Sequence, residues 1–252
     1  MMMLLREYLA VGGMPEAVNK FLTTKDYMAV DQVQGQLLTS YLYDIAHYAT
    51  ADEKVKAEKC YLSLSKQLLD KENHKFQYKE IAPGGRAQKY YSSIEWLLSA
   101  DLVSLVRNVS DICFDLNDYA KEGLFRAYTT DLSLLMAMKD YGLKQHIIEN
   151  TLMATTKGGI YECLIADILI KKGLTAYFYR NDTTKKEIDF LIQKDGKVIP
   201  IEVKSGNTTA SSLRWVMNNK PDIHLAYKFM DGNVGTGAEG IVSMPLYMAM
   251  FL

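Results

Sequence analysis

Glu187–Lys204, EIDFLIQKDGKVIPIEVK, reads as a β-hairpin that reverses at Asp195-Gly196. An Asp-Gly step suits a two-residue turn because both central positions need φ > 0. That turn sets the register: Lys194 faces Lys197, and each step outward keeps the pairing. Asp189 then lies opposite Glu202, and Glu187 opposite Lys204. Strand side chains alternate between faces. Ile188, Phe190, Ile192, Ile199, Ile201 and Val203 gather on one face, all apolar. Glu187, Asp189, Leu191, Gln193, Val198, Pro200, Glu202 and Lys204 gather on the other. Pro200 falls where the ladder asks for no N–H, the position that tolerates proline. A slip of one residue would destroy this separation.

Two carboxylates face to face need an offset. Directly opposed Cβ atoms stand roughly 4.5–5.5 Å apart, and like charges there destabilise a sheet. At an effective dielectric near 20 and a separation of about 5 Å, the repulsion is on the order of 3 kcal/mol. A divalent cation reverses that sign, and Mg²⁺ suits a pair of carboxylates completed by water and phosphate. Lys204 shares the face of Glu202, where it can orient or deprotonate a water. The same residues admit plainer readings. They can form a solvated charged face, with Glu187–Lys204 a surface pair worth little. They can also form a structural cluster in which Lys204 neutralises both acids.

Asp189 followed by Glu202-Val203-Lys204 resembles the signature of the restriction-endonuclease-like PD-(D/E)XK fold. The resemblance implies that Asp189 and Glu202 bind Mg²⁺ and that Lys204 assists hydrolysis of a phosphodiester. It also implies a glutamate on the preceding helix, and Glu162 in GGIYECLIADILIKKG takes that place as an auxiliary metal ligand. In that segment Ile160, Tyr161, Leu164, Ile165, Ile168 and Leu169 form an apolar helical arc with Glu162 at its border. Gly173 ends the helix. The first motif reads Ile188-Asp189 rather than Pro-Asp. This fold also occurs with roles other than cleavage.

The chain has 252 residues, 48% hydrophobic and 23% charged, which suits one large or two to three small globular domains. A net charge of −1 gives no global basic field for nucleic acid, though a local patch remains open. Cys60, Cys113 and Cys163 are scattered, without CxxC or Cys/His zinc spacing, so a reduced cytoplasmic setting is expected. His47, His74, His146 and His224 are isolated and read as surface or core residues rather than ligands. There is no HExxH and no serine-triad context. The start, MMMLLREYLAVGG, carries Arg6 and Glu7 and is not a signal peptide. Gly240–Leu252 lacks charges but falls short of the ~20 residues a membrane helix needs, so it reads as a buried strand or terminal segment and no membrane partner is expected.

The expected fold class is α/β, α+β overall, in three parts. Residues 1–50 form a helical segment: Met1–Ala10, a break at Gly12-Gly13, Met14–Leu22 with Pro15 in its first turn, and Asp31–Tyr48. Residues 51–130 read as a winged-helix-like domain. Its helices are Val55–Leu69, Gln77–Ile81 and Arg86–Ala100, with a turn at Ala82–Gly85. Its wing strands are Leu102–Arg107 and Ile112–Leu116. In such modules the third helix can enter the DNA major groove, and Arg86, Lys89, Ser92 and Ser93 are the candidate contacts. Tyr90, Tyr91, Ile94, Trp96, Leu97 and Leu98 mark core packing instead, and many such modules are protein–protein spacers.

Residues 131–252 are expected to form a restriction-endonuclease-like domain with a mixed sheet. Asp131–Lys139 is a helix capped by Thr130 or Asp131, and Glu149–Lys172 carries Glu162. Strand Thr175–Arg180, the hairpin, a crossover helix over Thr209–Asn219 and a strand over Ile223–Phe229 follow. That last strand runs parallel to the second hairpin arm. Arg214 on the crossover helix is placed to contact phosphate, or is simply an exposed arginine. Asp231–Gly240 is glycine-rich but lacks the Lys-Ser/Thr of a phosphate loop, so a flexible turn is expected.

Four segments widen the resemblance. REYLAVGGMPEAV, LFRAYTTDLSLL, GGIYECLIADIL and EIDFLI…VIPIEVKSG, in that order, resemble the C-terminal portion of bacterial and archaeal AAA-type ATP-binding proteins with an uncharacterised C-terminal region. Members carry an N-terminal ATPase module with Walker motifs. This chain has no GxxxxGK[ST] and starts with three methionines, which suggests a truncated form or a split gene. The resemblance implies an accessory region that is non-catalytic or binds DNA, a partner protein or the ATPase module. The alternative is a Mg²⁺-dependent nuclease acting through Asp189, Glu202 and Lys204.

Overall fold

In the computed structural model, which describes residues 1–69, 75–206, 209–236 and 240–252, the chain divides into two units. One joins Met1–Ser104 to Ala127–Thr156, and the other joins Leu105–Arg126 to Lys157–Leu252. Two of the unit boundaries thus fall inside the stretch 51–130.

The N-terminal unit is helical. Helix α1 (Met2–Val11) stops at Gly12, whose φ is 77°. Helix α2 (Pro15–Thr24) opens on Pro15, whose missing N–H costs nothing in a first turn. Helix α3 (Tyr27–Tyr48) starts earlier than its apolar stripe suggests, because the Asp26 carboxylate accepts the Met28 N–H. Helix α4 (Ala51–Leu69) packs against α5 (Ala87–Ser99), with a 3₁₀ turn at Tyr78–Glu80 between them in the chain. Two further helices are α6 (Leu132–Ala137), capped by Asp131, and α7 (Tyr141–Glu149), capped by Asp140. Val11, Ala17, Phe21, Val30 and Val33 form one core cluster.

The Gly12-Gly13 turn lies against the start of α6. A Cβ on Gly12 would stand 2.1 Å from Ser133 Oγ and 2.3 Å from Ser133 N, so only glycine fits both the φ and the space. Asp131 Oδ1 accepts the N–H groups of Gly13 (2.9 Å) and Ser133 (2.7 Å). Ser133 Oγ donates to the Val11 carbonyl at 2.7 Å, and Gln34 Nε2 donates to the carbonyls of Ala10 and Val11. Polar side chains from α3 and from the start of α6 thereby satisfy the open end of α1.

The C-terminal unit is built on an eight-stranded mixed sheet. The strands are β1 (Val103–Val109), β2 (Ala120–Thr129), β3 (Ala176–Asn181), β4 (Lys186–Lys194), β5 (Lys197–Lys204), β6 (Ala226–Met230), β7 (Gly235–Thr236) and β8 (Ile241–Pro245). Their order across the sheet is β2-β1-β3-β4-β5-β6-β8-β7. Helix α8 (Ala154–Lys171) precedes β3 and helix α9 (Ser211–Asn219) crosses from β5 to β6. The chain closes in a 3₁₀ turn at Leu246–Phe251. The fold is α+β, with N-terminal helices and a mixed sheet.

The hairpin register holds for five pairs outward from the turn and stops before the two further pairs expected, Asp189–Glu202 and Glu187–Lys204. Lys194 pairs with Lys197, Gln193 with Val198, Ile192 with Ile199, Leu191 with Pro200 and Phe190 with Ile201. Both turn residues have positive φ, 51° at Asp195 and 71° at Gly196. Strand β6 runs parallel to β5, as the crossover predicts. Two expectations are corrected. Ile112–Leu116 is not a strand: Phe114 is exposed while Ile112 and Leu116 are buried, so side chains there do not alternate. The strand partner of that region is β2, and β1 pairs in parallel with β3 instead of forming a separate wing. The second correction is Ile188, which does not share a face with Phe190. A β-bulge shifts the β3–β4 register, with Tyr177 opposite Leu191 but Tyr179 opposite Ile188. Ile188 therefore packs with Leu191, Tyr177, Tyr179, Leu213 and Val216.

No described helix is long and apolar enough to cross a membrane. Of the glycine-rich stretch Asp231–Gly240, residues 237–239 lie outside the described residues, and so does His74.

Candidate functional site

The bulge decides what the hairpin acids touch. Within it, the ladder between β4 and β5 ends at Phe190–Ile201. One residue further, Asp189 Oδ2 accepts the Val203 N–H at 2.7 Å, so a side chain satisfies that strand donor. Glu202, also on β5, is buried, 4% exposed. Its Oε1 forms an ion pair with Lys204 Nζ at 2.5 Å, and its Oε2 is buried without a hydrogen-bond partner. Glu202 and Lys228 are register partners between the parallel strands β5 and β6, and Lys228 is 7% exposed.

Electrostatics follows from this burial. Desolvation pushes the Glu202 carboxyl above its ordinary value, Asp189 adds to the rise, and Lys204 and Lys228 oppose it. Burial works against the Lys204 charge, but Glu202, Asp189 and Glu187 outweigh it and hold the ammonium above the usual lysine value. Burial pushes Lys228 down, with Lys204 and Arg214 adding to the fall and Glu202 resisting it.

Glu187 does not pair with Lys204. The displaced register sets it opposite Arg180, whose Nη1 donates to Glu187 Oε2 at 2.7 Å. Its Oε1 accepts from Arg126 Nη2. Arg126 Nη1 donates to Glu162 Oε1 at 2.8 Å and more loosely to the Asp189 carbonyl at 3.4 Å. The guanidinium carbon stands 4.5 Å from the centroid of the Phe178 ring. Arg126, on β2, is 6% exposed and joins α8 to β4. A planar fork with five donors suits such a junction better than an ammonium would. Sequence reasoning missed this residue because its partners lie 36 and 61 positions away. The available signal was a lone charge in the apolar run Leu124-Phe125-Arg126-Ala127-Tyr128, and Lys228 in Ala226-Tyr227-Lys228-Phe229 carries the same signal.

Residues 2–145 match a family described as a domain of unknown function (DUF8612), more than half of the chain's 252 residues. The chain belongs to that family. Residues 157–247 match a second, also described as a domain of unknown function (DUF4143), which is found in C-terminal regions of AAA-type ATPase proteins in general. No curated protein and no solved structure matches the chain.

Glu162, Glu187, Asp189 and Glu202 all fall in the unit that carries the DUF4143 match. Around them stand Arg126, Arg180, Lys204 and Lys228, so four carboxylates meet four cations. Among the described residues, no three His, Cys, Asp or Glu side chains converge as a metal centre would require. Glu162 is bonded to Arg126. Arg214 on α9 is exposed and acts at range on Lys228.

The DUF8612 segment contains the other candidates. Arg86 occupies the N-cap position of α5 without a side-chain capping bond and is exposed, as is Lys89, whose ammonium lies 5.3 Å from the centroid of the Tyr90 ring. Ser92 donates to Glu53 Oε1 at 3.3 Å and Ser93 donates to the same oxygen, so both hydroxyls tie α5 to α4. The apolar residues Tyr90, Ile94 and Leu97 are buried. His47 is exposed and stacks on Tyr43, His146 Nδ1 bonds Thr151 Oγ1, and His224 is exposed.

Proposed function

We propose that this chain is a non-catalytic accessory region of an AAA-type ATPase, one that binds a protein partner or DNA. One observation carries the reading: the buried Arg126 bonds both Glu162 and Glu187, while Lys204 bonds Glu202. Every acid that a restriction-endonuclease-like site would devote to metal already has a cation or an N–H on at least one oxygen. The residues as they stand do not fit a divalent ion, because the positive charge it would bring is already supplied by the chain. The DUF4143 match supports the ATPase context. The order of three antiparallel strands, crossover helix and parallel strand supports the PD-(D/E)XK architecture, which serves many roles besides cleavage. A cytoplasmic setting belongs to the same proposal and draws on the three free cysteines.

Glu202 Oε2 favours a second reading, a Mg²⁺-dependent nuclease acting through Asp189, Glu202 and Lys204, since a buried carboxylate oxygen without a partner is costly. Incubation with single- and double-stranded DNA in Mg²⁺ or Mn²⁺ separates the two. The accessory reading expects intact DNA at every metal concentration; cleavage that disappears in Glu202→Ala would establish the nuclease instead. In band shifts at low salt, a DNA-binding role expects retardation that weakens with salt and with Arg86→Ala/Lys89→Ala. If DNA migrates unshifted, a protein partner is the remaining form of the proposal, and failure to co-purify any AAA-type ATPase then counts against it.

A further inference from the structure

Lys228 is the buried charge that this function leaves unexplained. It sits in an apolar strand, 7% exposed, in register with Glu202 on the neighbouring parallel strand. Partners in register on adjacent strands share a face. A buried ammonium is costly to retain unless an opposite charge compensates it. Glu202 opposes that cost without cancelling it: it is itself buried, and Asp189 acts on it as a like charge. Lys204 and Lys228 together carry the two positive charges of one divalent cation.

We infer that Lys228, with Lys204, stands in for a divalent cation at Asp189 and Glu202, and that removing its charge unmasks a cation site. The inference rests on the non-catalytic reading and deepens it. Lys228 acts here by charge and position. Glu202 Oε2, the buried oxygen that accepts no hydrogen bond, is the ligand atom such a cation would take first. Asp189 keeps one carboxylate oxygen beyond the one that holds the Val203 N–H. Hard cations of this class prefer carboxylate oxygens completed by water.

The test uses the full chain, Lys228→Met and Lys228→Met/Glu202→Gln, each titrated with Mn²⁺ by calorimetry and by electron paramagnetic resonance. Lys228→Met is expected to bind Mn²⁺ at least about tenfold more tightly than any binding by the unaltered chain. The double variant is expected to lose that binding, and Lys228→Arg to show none. A folded Lys228→Met that is silent towards Mn²⁺, or one that binds equally after Glu202→Gln, overturns the inference and leaves the accessory reading in place. Tight Mn²⁺ binding by the unaltered chain overturns the accessory reading and the inference with it. Where Lys228→Met does not fold alone, refolding is the readout. Recovery of circular dichroism in Mn²⁺ but not in K⁺ supports the inference, and no recovery in either overturns it.

Discussion

In the N-terminal unit the buried side chains of Gln34, Asp131 and Ser133 bond to backbone groups; in the C-terminal unit those of Arg126 and Glu202 bond to other charged side chains. The first arrangement completes helix ends, which leave open N–H and C=O groups wherever they are buried. The second arrangement balances charges that the sheet has brought together. Lys144 and Ser93 are partial exceptions in the N-terminal unit, since Lys144 donates to the Met136 carbonyl and also pairs with Asp31, and Ser93 donates to Glu53. Asp31, however, is 35% exposed, so solvent screens that pair. Caps on backbone groups depend chiefly on geometry, whether the capping group is neutral, as in Gln34 and Ser133, or a carboxylate, as in Asp131. Paired charges depend on every member being present, because desolvation has already been incurred by the rest.

The sharpest way to break this contrast is Arg126→Met. The substitution keeps length and apolar bulk but leaves Glu162 and Glu187 with a lost cation in a mostly buried setting. A destabilisation of about 3–5 kcal/mol is expected in urea unfolding. Arg126→Met/Glu162→Gln should recover part of it, because the acid left behind is the source of the cost. Equal losses in the single and double variants would show that Arg126 acts through its packing on Phe178 rather than through charge.

Gly12→Ala probes the other unit. The new Cβ would meet Ser133 Oγ and the Ser133 backbone, and alanine at a φ of 77° is strained in any case. A loss of about 2 kcal/mol or more is expected. That loss should be the same at low and high salt, unlike that of Arg126→Met, whose magnitude should shrink as salt screens Glu162 and Glu187. Salt-dependent loss in Gly12→Ala would erase the contrast between the units.

Local signals in the sequence located most elements and failed where distant residues set the outcome. The Asp195-Gly196 turn and the alternation around it were enough for five pairs of hairpin register. They were not enough for the bulge, because the bulge depends on β3, a different strand, and it moves Ile188 and Glu187 off the faces that strict alternation assigns. Pro15 and Gly12 marked helix ends because proline and glycine act within one turn. Helix α7 was missed, although Asp140 and Asn150 punctuate it, because its nine residues carry a weak apolar stripe. In the site, the ordered acids and Lys204 were visible as a motif. Arg126 and Lys228 were not, since each reaches its partners only after the sheet has assembled. A single charge inside an apolar strand run was the trace they left.

The smallest expected effect concerns the pH response of the C-terminal unit. Burial, reinforced by Asp189, places the folded Glu202 pKa above its ordinary value of 4.5. The folded state therefore holds that proton more tightly than the unfolded chain. Its contribution is fully present below 4.5 and is lost as pH rises through the raised value. Lys204 shifts upward from 10.5, so its contribution persists across this range and is lost only in more alkaline solution. Lys228 shifts downward from 10.5, so any contribution from it works in the opposite direction and at higher pH than that of an ordinary glutamate. Glu202→Gln removes the acid-range contribution alone. Urea midpoints of the unaltered chain and of Glu202→Gln, measured from pH 4 to pH 8, should diverge as pH rises, with the glutamine form gaining relative stability. Parallel curves would mean that Lys204 and Lys228 fully compensate the buried carboxylate, and the C-terminal unit would then be no more pH-sensitive than the capped helices of its neighbour.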